Sequence, residues 1–462
     1  MARTRNEKFA ALLAEADWSR AEAAAAFVRV AMENKAEDLA RIGRNHITQW
    51  VSGSQPSGQA PLILAETLSR RLGRLITMDE IGLTVPTLPA HEALDWHGDP
   101  LAALTDLGRL DLDMERRHIL GTATFSVAAL ALPGAPWWAE QAEARNMRTR
   151  AATRRGSVND VEAVKEIVAF FSQRDQRHGG GHGRTAVVEY LKTDVPRCLN
   201  STFSSDAVRR DMFSAAAELT YLSGWMAFDN SEHPVAQRYF TLALRLAAEA
   251  GDPPLAAHIL RAMAHQALDL HHVQAASELA AASMDGKRYT QASPRERALL
   301  GVIHARSLAA AGQKKAAAAA LLGAEDDLAA AADGIEEPGR VFFFGEASLS
   351  HETACTLRDI GDLNGSIRQF RRSVRTRKAS KFARTHSVTL GYLGAVQAQQ
   401  GNIEEACATW TRALDAMEGV QSGRARETVV HMRRALSPFR KRGVRVVTEL
   451  DKRAAAFLAG VA

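Results

Sequence analysis

The chain offers chemistry in a few places. The first is a glycine run flanked by histidines, His178-Gly179-Gly180-Gly181-His182. Consecutive backbone N–H groups of this kind could hold an oxyanion, and the two imidazoles could ligate a metal. Neither chemistry is completed elsewhere. No Gly-x-Ser-x-Gly nucleophile turn occurs, and no further ligands stand at helical spacing from the histidines. Three glycines stop a helix and permit a sharp turn, so the run reads as a hinge between two helices. A second group, His351-Glu352-Thr353-Ala354-Cys355, is one residue short of a zinc helix, because Cys355 stands where a second histidine would ligate. It reads as packing or groove lining. With no phosphate-binding or dinucleotide glycine motif either, the sequence supports no enzyme, cofactor or metal.

The third group has a different chemistry. In Asn45-His46-Ile47-Thr48-Gln49-Trp50-Val51-Ser52-Gly53, a helical period puts Ile47, Trp50 and Val51 on one face. Asn45, Thr48, Gln49 and Ser52 fall on another. An apolar side for docking and a side of short amides and hydroxyls is what reading base edges in a major groove needs. Arg41, Arg44, Arg70, Arg71 and Arg74 surround it against Glu66 alone, giving a local excess suited to phosphates. The expected DNA contacts are Arg41, Arg44, Asn45, His46, Thr48, Gln49, Ser52, Arg70 and Arg71.

These residues need a scaffold. Asn6 to Ala16 sets Phe9, Leu12 and Leu13 on one stripe, and Ser19 with Glu22 forms a capping box for a second helix. With Ile47, Thr48, Trp50 and Gly53, then Pro61, Leu64, Ala65, Leu68 and Gly73, the segment resembles the lambda-repressor/Cro-like (XRE) helix-turn-helix. One departure is an insertion, roughly Val28 to Gly43, where that class has a short turn.

Behind this module lies a repeat. A small residue recurs with three further small or aromatic positions at fixed offsets: Gly224/Ala236/Phe240/Ala243, Ala264/Ala276/Ala280/Ser283, His304/Ala316/Ala320/Gly323, Ala354/Ser366/Phe370/Ser373 and Gly394/Ala406/Trp410/Ala413. This resembles the tetratricopeptide repeat, with a period nearer 40 residues than 34. An acidic insert around Glu325 to Gly339 lengthens one step. The full arrangement is similar to actinobacterial XRE-type regulators with C-terminal tetratricopeptide repeats, the NsdA-like group. That resemblance implies a regulator of development or secondary metabolism.

The expected architecture is all-α: a lambda-repressor-like helix-turn-helix domain (1–83), a linker and connector (84–157), pre-repeat helices (158–208), a tetratricopeptide-like α-solenoid (209–423) and capping helices (424–462). Composition agrees, since aromatics are 6% and alanine is abundant. The net charge of +5 is too small to decide a partner by itself. Charges throughout the first thirty residues and the lack of any long uncharged apolar stretch predict a cytoplasmic chain with no membrane span. Three scattered cysteines suggest no disulfide framework.

Register in the repeats predicts a concave effector groove of Glu218, Tyr221, Trp225, Asp229, His258, Arg261, His265, Asp269, His351, Arg358 and Asp359. None is an asparagine, which weakens a peptide receptor, whereas Arg261 and Arg358 could clamp a carboxylate. The partners expected are double-stranded operator DNA, a second copy in a homodimer, and a small-molecule, peptide or protein effector in the groove. The alternative is a repeat scaffold or anti-activator whose N-terminal module binds protein.

Overall fold

The computed structural model describes residues 4–34, 36–83, 94–112, 125–148, 154–331, 335–440 and 444–460. Parts of the expected 84–157 linker and connector, 84–93, 113–124 and 149–153, lie outside them. The fold is all-helical, apart from two three-residue strands, Arg154–Gly156 and Ser201–Phe203, that pair in parallel.

The N-terminal module has helices α1 (Glu7–Glu15), α2 (Arg20–Glu33), α3 (Arg44–Val51), α4 (Ala60–Leu72) and α5 (Met78–Ile81), with a 3-10 turn at Glu37–Arg41. The Ser19/Glu22 capping box forms as the sequence predicts. Phe9, Phe27, Ile47, Ile63, Leu68 and Ile81 are fully buried in one core, and Phe27 meets Trp50 edge-on at 5.4 Å. The inserted stretch between the second and third helices is not a long loop: α2 continues through Glu33, and the 3-10 turn takes up half of the remainder.

A connector follows with α6 (Pro100–Leu112), α7 (Ala135–Arg148), α8 (Val158–His178) and α9 (Arg184–Leu199). Stacked helical hairpins come next. They are α10 (Asp206–Asp229) with α11 (His233–Ala250), α12 (Pro253–Asp269) with α13 (Val273–Ser283), then the short α14 (Lys287–Thr290). α15 (Pro294–Ala310) pairs with α16 (Lys314–Ala329), α17 (Glu346–Ile360) with α18 (Leu363–Thr376), α19 (Ala383–Gln399) with α20 (Ile403–Ala416), and α21 (Gly423–Arg440) with α22 (Arg445–Gly460).

Small residues set the close helix contacts. A Cβ on Gly224 would stand 2.8 Å from Phe240, and one on Gly394 would stand 2.5 Å from Trp410, so the paired positions read from the repeat do touch. The third unit needs correction. The buried residues of α16 are Ala317, Leu321 and Ala324, not Ala316, Ala320 and Gly323, and the α15 residue meeting Ala324 is Gly301, not His304. A run of alanines offers no large side chain to fix register, so the pattern slips by one without penalty in sequence.

The array curls back on itself. Arg384 of α19 pairs with Asp175 of α8 and Asp229 of α10, each at 3.0 Å. The glycine run makes this closure possible. Gln421 N–H donates to the His178 carbonyl at 2.7 Å, and Gly181 N–H donates to the Gln421 carbonyl at 3.0 Å. A Cβ at Gly179 would meet Gln421 O at 2.3 Å, and one at Gly180 would meet Met226 O at 2.4 Å. The run is a docking turn in which backbone approaches backbone, rather than a free hinge.

Candidate functional sites

The first site is the outward surface of α3. Ile47, Trp50 and Val51 anchor the helix in the module core, while Arg44, Asn45, His46, Gln49 and Ser52 are exposed with the whole array in place. Thr48 is half-buried. Its hydroxyl donates to the Arg44 carbonyl at 2.9 Å and accepts from Arg20 Nη1 at 3.3 Å. Ser52 donates back to the Thr48 carbonyl at 2.9 Å, and His46 Nδ1 accepts the Gly43 N–H at 3.1 Å as a helix cap. Asn45 and Gln49 therefore carry the open amides, at (i, i+4) spacing on one face.

The helix is held firmly. Asn6 N–H donates to the Val51 carbonyl at 2.8 Å, and the Asn6 amide donates to the Ile81 carbonyl at 2.8 Å, so the chain start ties α3 to α5. Gly53 has φ +98°, and a Cβ there would meet Thr4 O at 2.0 Å. Only glycine passes this point without moving backbone.

The basic rim differs from the expected one. Arg41 and Arg44 are exposed. Arg70 is turned inward, held by Glu66 at 2.7 Å and Glu33 at 2.5 Å, and its side chain is only 13% exposed. A guanidinium so matched and so covered is unavailable to phosphate, and Arg70 leaves the set of DNA contacts. Arg71 donates to the Ala16 carbonyl at 2.9 Å and lies over Trp18, with its outer surface open. The sequence reading missed Arg20 and Arg29 of α2, both exposed, and the exposed Arg434 of α21, which shares a cleft with Ala21, Arg29, Gly43 and Arg44. Helical spacing could have found the first two. Arg434 is nearly 400 residues away and carried no signal.

The module is seated on the array through a buried contact. His272 Nε2 lies 2.8 Å from Glu66 Oε1, both almost fully buried, and His272 stacks on Phe125 at 5.4 Å. Burial works to raise the Glu66 carboxyl, but the His272 hydrogen bond and the Arg70 charge outweigh it and leave it below its ordinary value.

The second site is an internal chamber of about 60 Å³ where the concave groove was expected. Trp225, Arg261, His265 and His351 line it, joined by Ser348, Glu352, Arg377, Arg384 and Arg424. The groove is not open along its length. The segment after α16 folds into it, with Phe343 and Phe344 in the chamber wall and Arg340 paired with Glu218 at 3.0 Å and Glu296 at 2.7 Å. The acidic, glycine- and proline-containing insert thus leads into an inner wall. Glu218 and Tyr221 face a separate cavity of about 30 Å³ beside Arg340.

The other groove residues are placed as follows. Asp229 accepts from Arg384 and from Gly180 N–H at 2.8 Å, so it ties the closure. Asp269 pairs with Arg424 at 3.6 Å. His258 is buried beside Tyr221 and Arg261. Arg358 and Asp359 pair with each other at 2.8 Å, and Arg358 is absent from the chamber wall, so the expected Arg261/Arg358 clamp is not assembled. Arg377, which follows α18, lines the chamber instead.

Burial, with neighbouring arginines, pulls the His258, His265 and His351 imidazoles far below their ordinary range. Cys355 Sγ lies 3.8 Å from His351 Nε2, and burial pushes its thiol up to about 12, so it is no nucleophile at neutral pH. No group of three or more histidines, cysteines and carboxylates that could hold a metal occurs among the described residues. Nor, among them, is any helix long and apolar enough to cross a membrane.

Compared with known proteins, residues 9–84 match a family model described as the SP15 N-terminal domain. This covers the N-terminal module alone. No curated protein and no solved structure matches the chain.

Proposed function

We propose that this chain is a DNA-binding transcriptional regulator. Its N-terminal module is a lambda-repressor-like helix-turn-helix of the XRE type, with α3 as recognition helix, and its hairpin array is a tetratricopeptide-like domain that senses an effector and pairs two copies. The observation that carries the reading is the two-sided α3. Its apolar side is fixed by Ile47, Trp50 and Val51, while its amides and Arg44 stay exposed although the array is docked alongside. Asn45 and Gln49 supply donor–acceptor pairs for base edges, and Arg20, Arg29, Arg41, Arg44 and Arg71 supply phosphate contacts. One module reads only a few base pairs, so a homodimer on paired half-sites about 34 Å apart supplies the needed specificity.

Mobility-shift titrations separate the two kinds of contact. Gln49→Ala should weaken binding to the preferred site by about tenfold or more, from the roughly 1–3 kcal/mol of a bidentate base contact, and leave non-specific binding unchanged. Arg44→Ala should weaken both and lower the slope of log affinity against log salt by about 0.9. Equal loss on all sequences with Gln49→Ala would mean that α3 does not read bases.

A further inference from the structure

Two cations in the chamber wall are buried without a counter-charge. Arg261 is 2% exposed and Arg377 7%. Arg261 donates from Nη2 to the Tyr221 hydroxyl at 2.9 Å and lies 5.4 Å from the Trp225 ring centre, while its Nε has no partner. Arg377 donates to the Ala347 carbonyl at 2.9 Å and to the Ser373 and Ser348 hydroxyls at 3.3 and 3.4 Å, and its Nε is likewise unpartnered. Among the described residues neither forms an ion pair.

The surrounding charges are matched. Arg384 has Asp175 and Asp229, Arg424 has Asp269, and the one carboxylate in the wall, Glu352, is taken by Arg306 at 3.0 Å. Desolvation pulls the Arg377 guanidinium down to about 10, as expected for a cation lacking a partner. Folds rarely keep a buried ion unmatched, because nothing offsets its lost hydration. At about 60 Å³ the chamber exceeds the roughly 10–15 Å³ needed to hold one water but falls well short of the roughly 150 Å³ that admits a benzene ring, so it suits an anion of a few heavy atoms. Trp225, Leu299, Ile303 and Val388 form its apolar side, while Gln176, His265, Ser348, His351 and Thr385 add neutral polar groups.

We infer that the chamber binds a small oxyanion of a few heavy atoms, a phosphate or a short-chain carboxylate, drawn to the unmatched Arg261 and Arg377. A guanidinium fork suits either oxyanion, because two parallel N–H groups meet two oxygens. As the effector site of a regulator this rests on the function proposed above; the anion binding itself does not.

The test is thermal-shift and calorimetric titration of the full chain, without DNA, at constant ionic strength. The probes are acetate, methylphosphonate, inorganic phosphate and the uncharged acetamide. A carboxylate or phosphoryl probe should raise Tm by about 2 °C near tenfold saturation, and acetamide should not. Preference for acetate over methylphosphonate assigns a carboxylate, and the reverse assigns a phosphoryl group. Arg261→Met and Arg377→Met should each weaken binding at least about tenfold while leaving the ligand-free Tm unchanged or higher, with partial rescue by Arg377→Lys.

The inference is overturned if no probe shifts Tm, if acetamide acts as well as the anions, or if the methionine variants bind normally. It is also overturned if both variants are destabilised without ligand, since the arginines would then be structural ties. An anion that binds but leaves operator affinity unmoved keeps the chamber and removes its effector role.

Discussion

At the residue scale the histidines make the sharpest stability prediction. His233, His258, His265 and His351 are buried, and burial pulls each imidazole down, His233 to about 3. In the unfolded chain each takes a proton near 6.5, so the unfolded state binds more protons as pH falls through that value, and stability drops. Two covered carboxyls oppose this. Asp175 is raised to about 6, by burial first and by Asp229 beside it, and Glu218 is raised by burial, so each takes its proton more readily in the folded state. Four imidazoles outweigh two carboxyls. Tm should therefore fall between pH 7.5 and 5.5, and His265→Gln with His351→Gln should flatten the slope. A Tm that rises over that interval contradicts the burial of these rings. The sequence marked His258, His265 and His351 as groove residues from repeat register alone. It could not show that they are enclosed, because enclosure comes from Phe343 and Phe344 on a segment outside the repeat pattern.

At the scale of elements, legibility followed side-chain size. Units with an aromatic wedge, Gly224 with Phe240 and Gly394 with Trp410, could be placed from spacing because one large ring needs one small neighbour. The alanine-only unit could not, and its register came out shifted by one in α16. The same contrast holds for α3, whose Ile47, Trp50 and Val51 fixed its buried face in advance. Arg70 shows the opposite failure. A helix-end arginine near a polar face looks available to phosphate until Glu33, at the end of an α2 longer than the motif suggests, is brought against it. Gly53→Ala, at φ +98° and against Thr4 O, should destabilise the module by about 1–3 kcal/mol or more, measured by denaturant unfolding. It should also lower DNA affinity, because the Thr4–Asn6 segment that clasps α3 must move.

At the scale of the whole molecule, the two sites are linked by a seam rather than a loose tether. Glu66 joins Arg70 inside the module to His272 at the α12–α13 turn, and Glu33 completes the cluster. Replacing it by Glu66→Ala strands a buried guanidinium with one partner and an imidazole with none. The expected cost is about 3–5 kcal/mol, with faster hydrogen exchange confined to α4 and the α12–α13 turn. Unchanged exchange there would show that the module does not rest on the array through this contact. None of this seam was readable from sequence, since Glu66 and His272 stand 206 residues apart with no pattern joining them. DNA reading by α3 can be checked by sequencing the genomic fragments captured by the full chain alongside its Gln49→Ala variant. A two-fold symmetric motif should be enriched, and the variant should lose it while its non-specific capture persists. Fragments without a shared motif, or a motif captured equally well by Gln49→Ala, would contradict it.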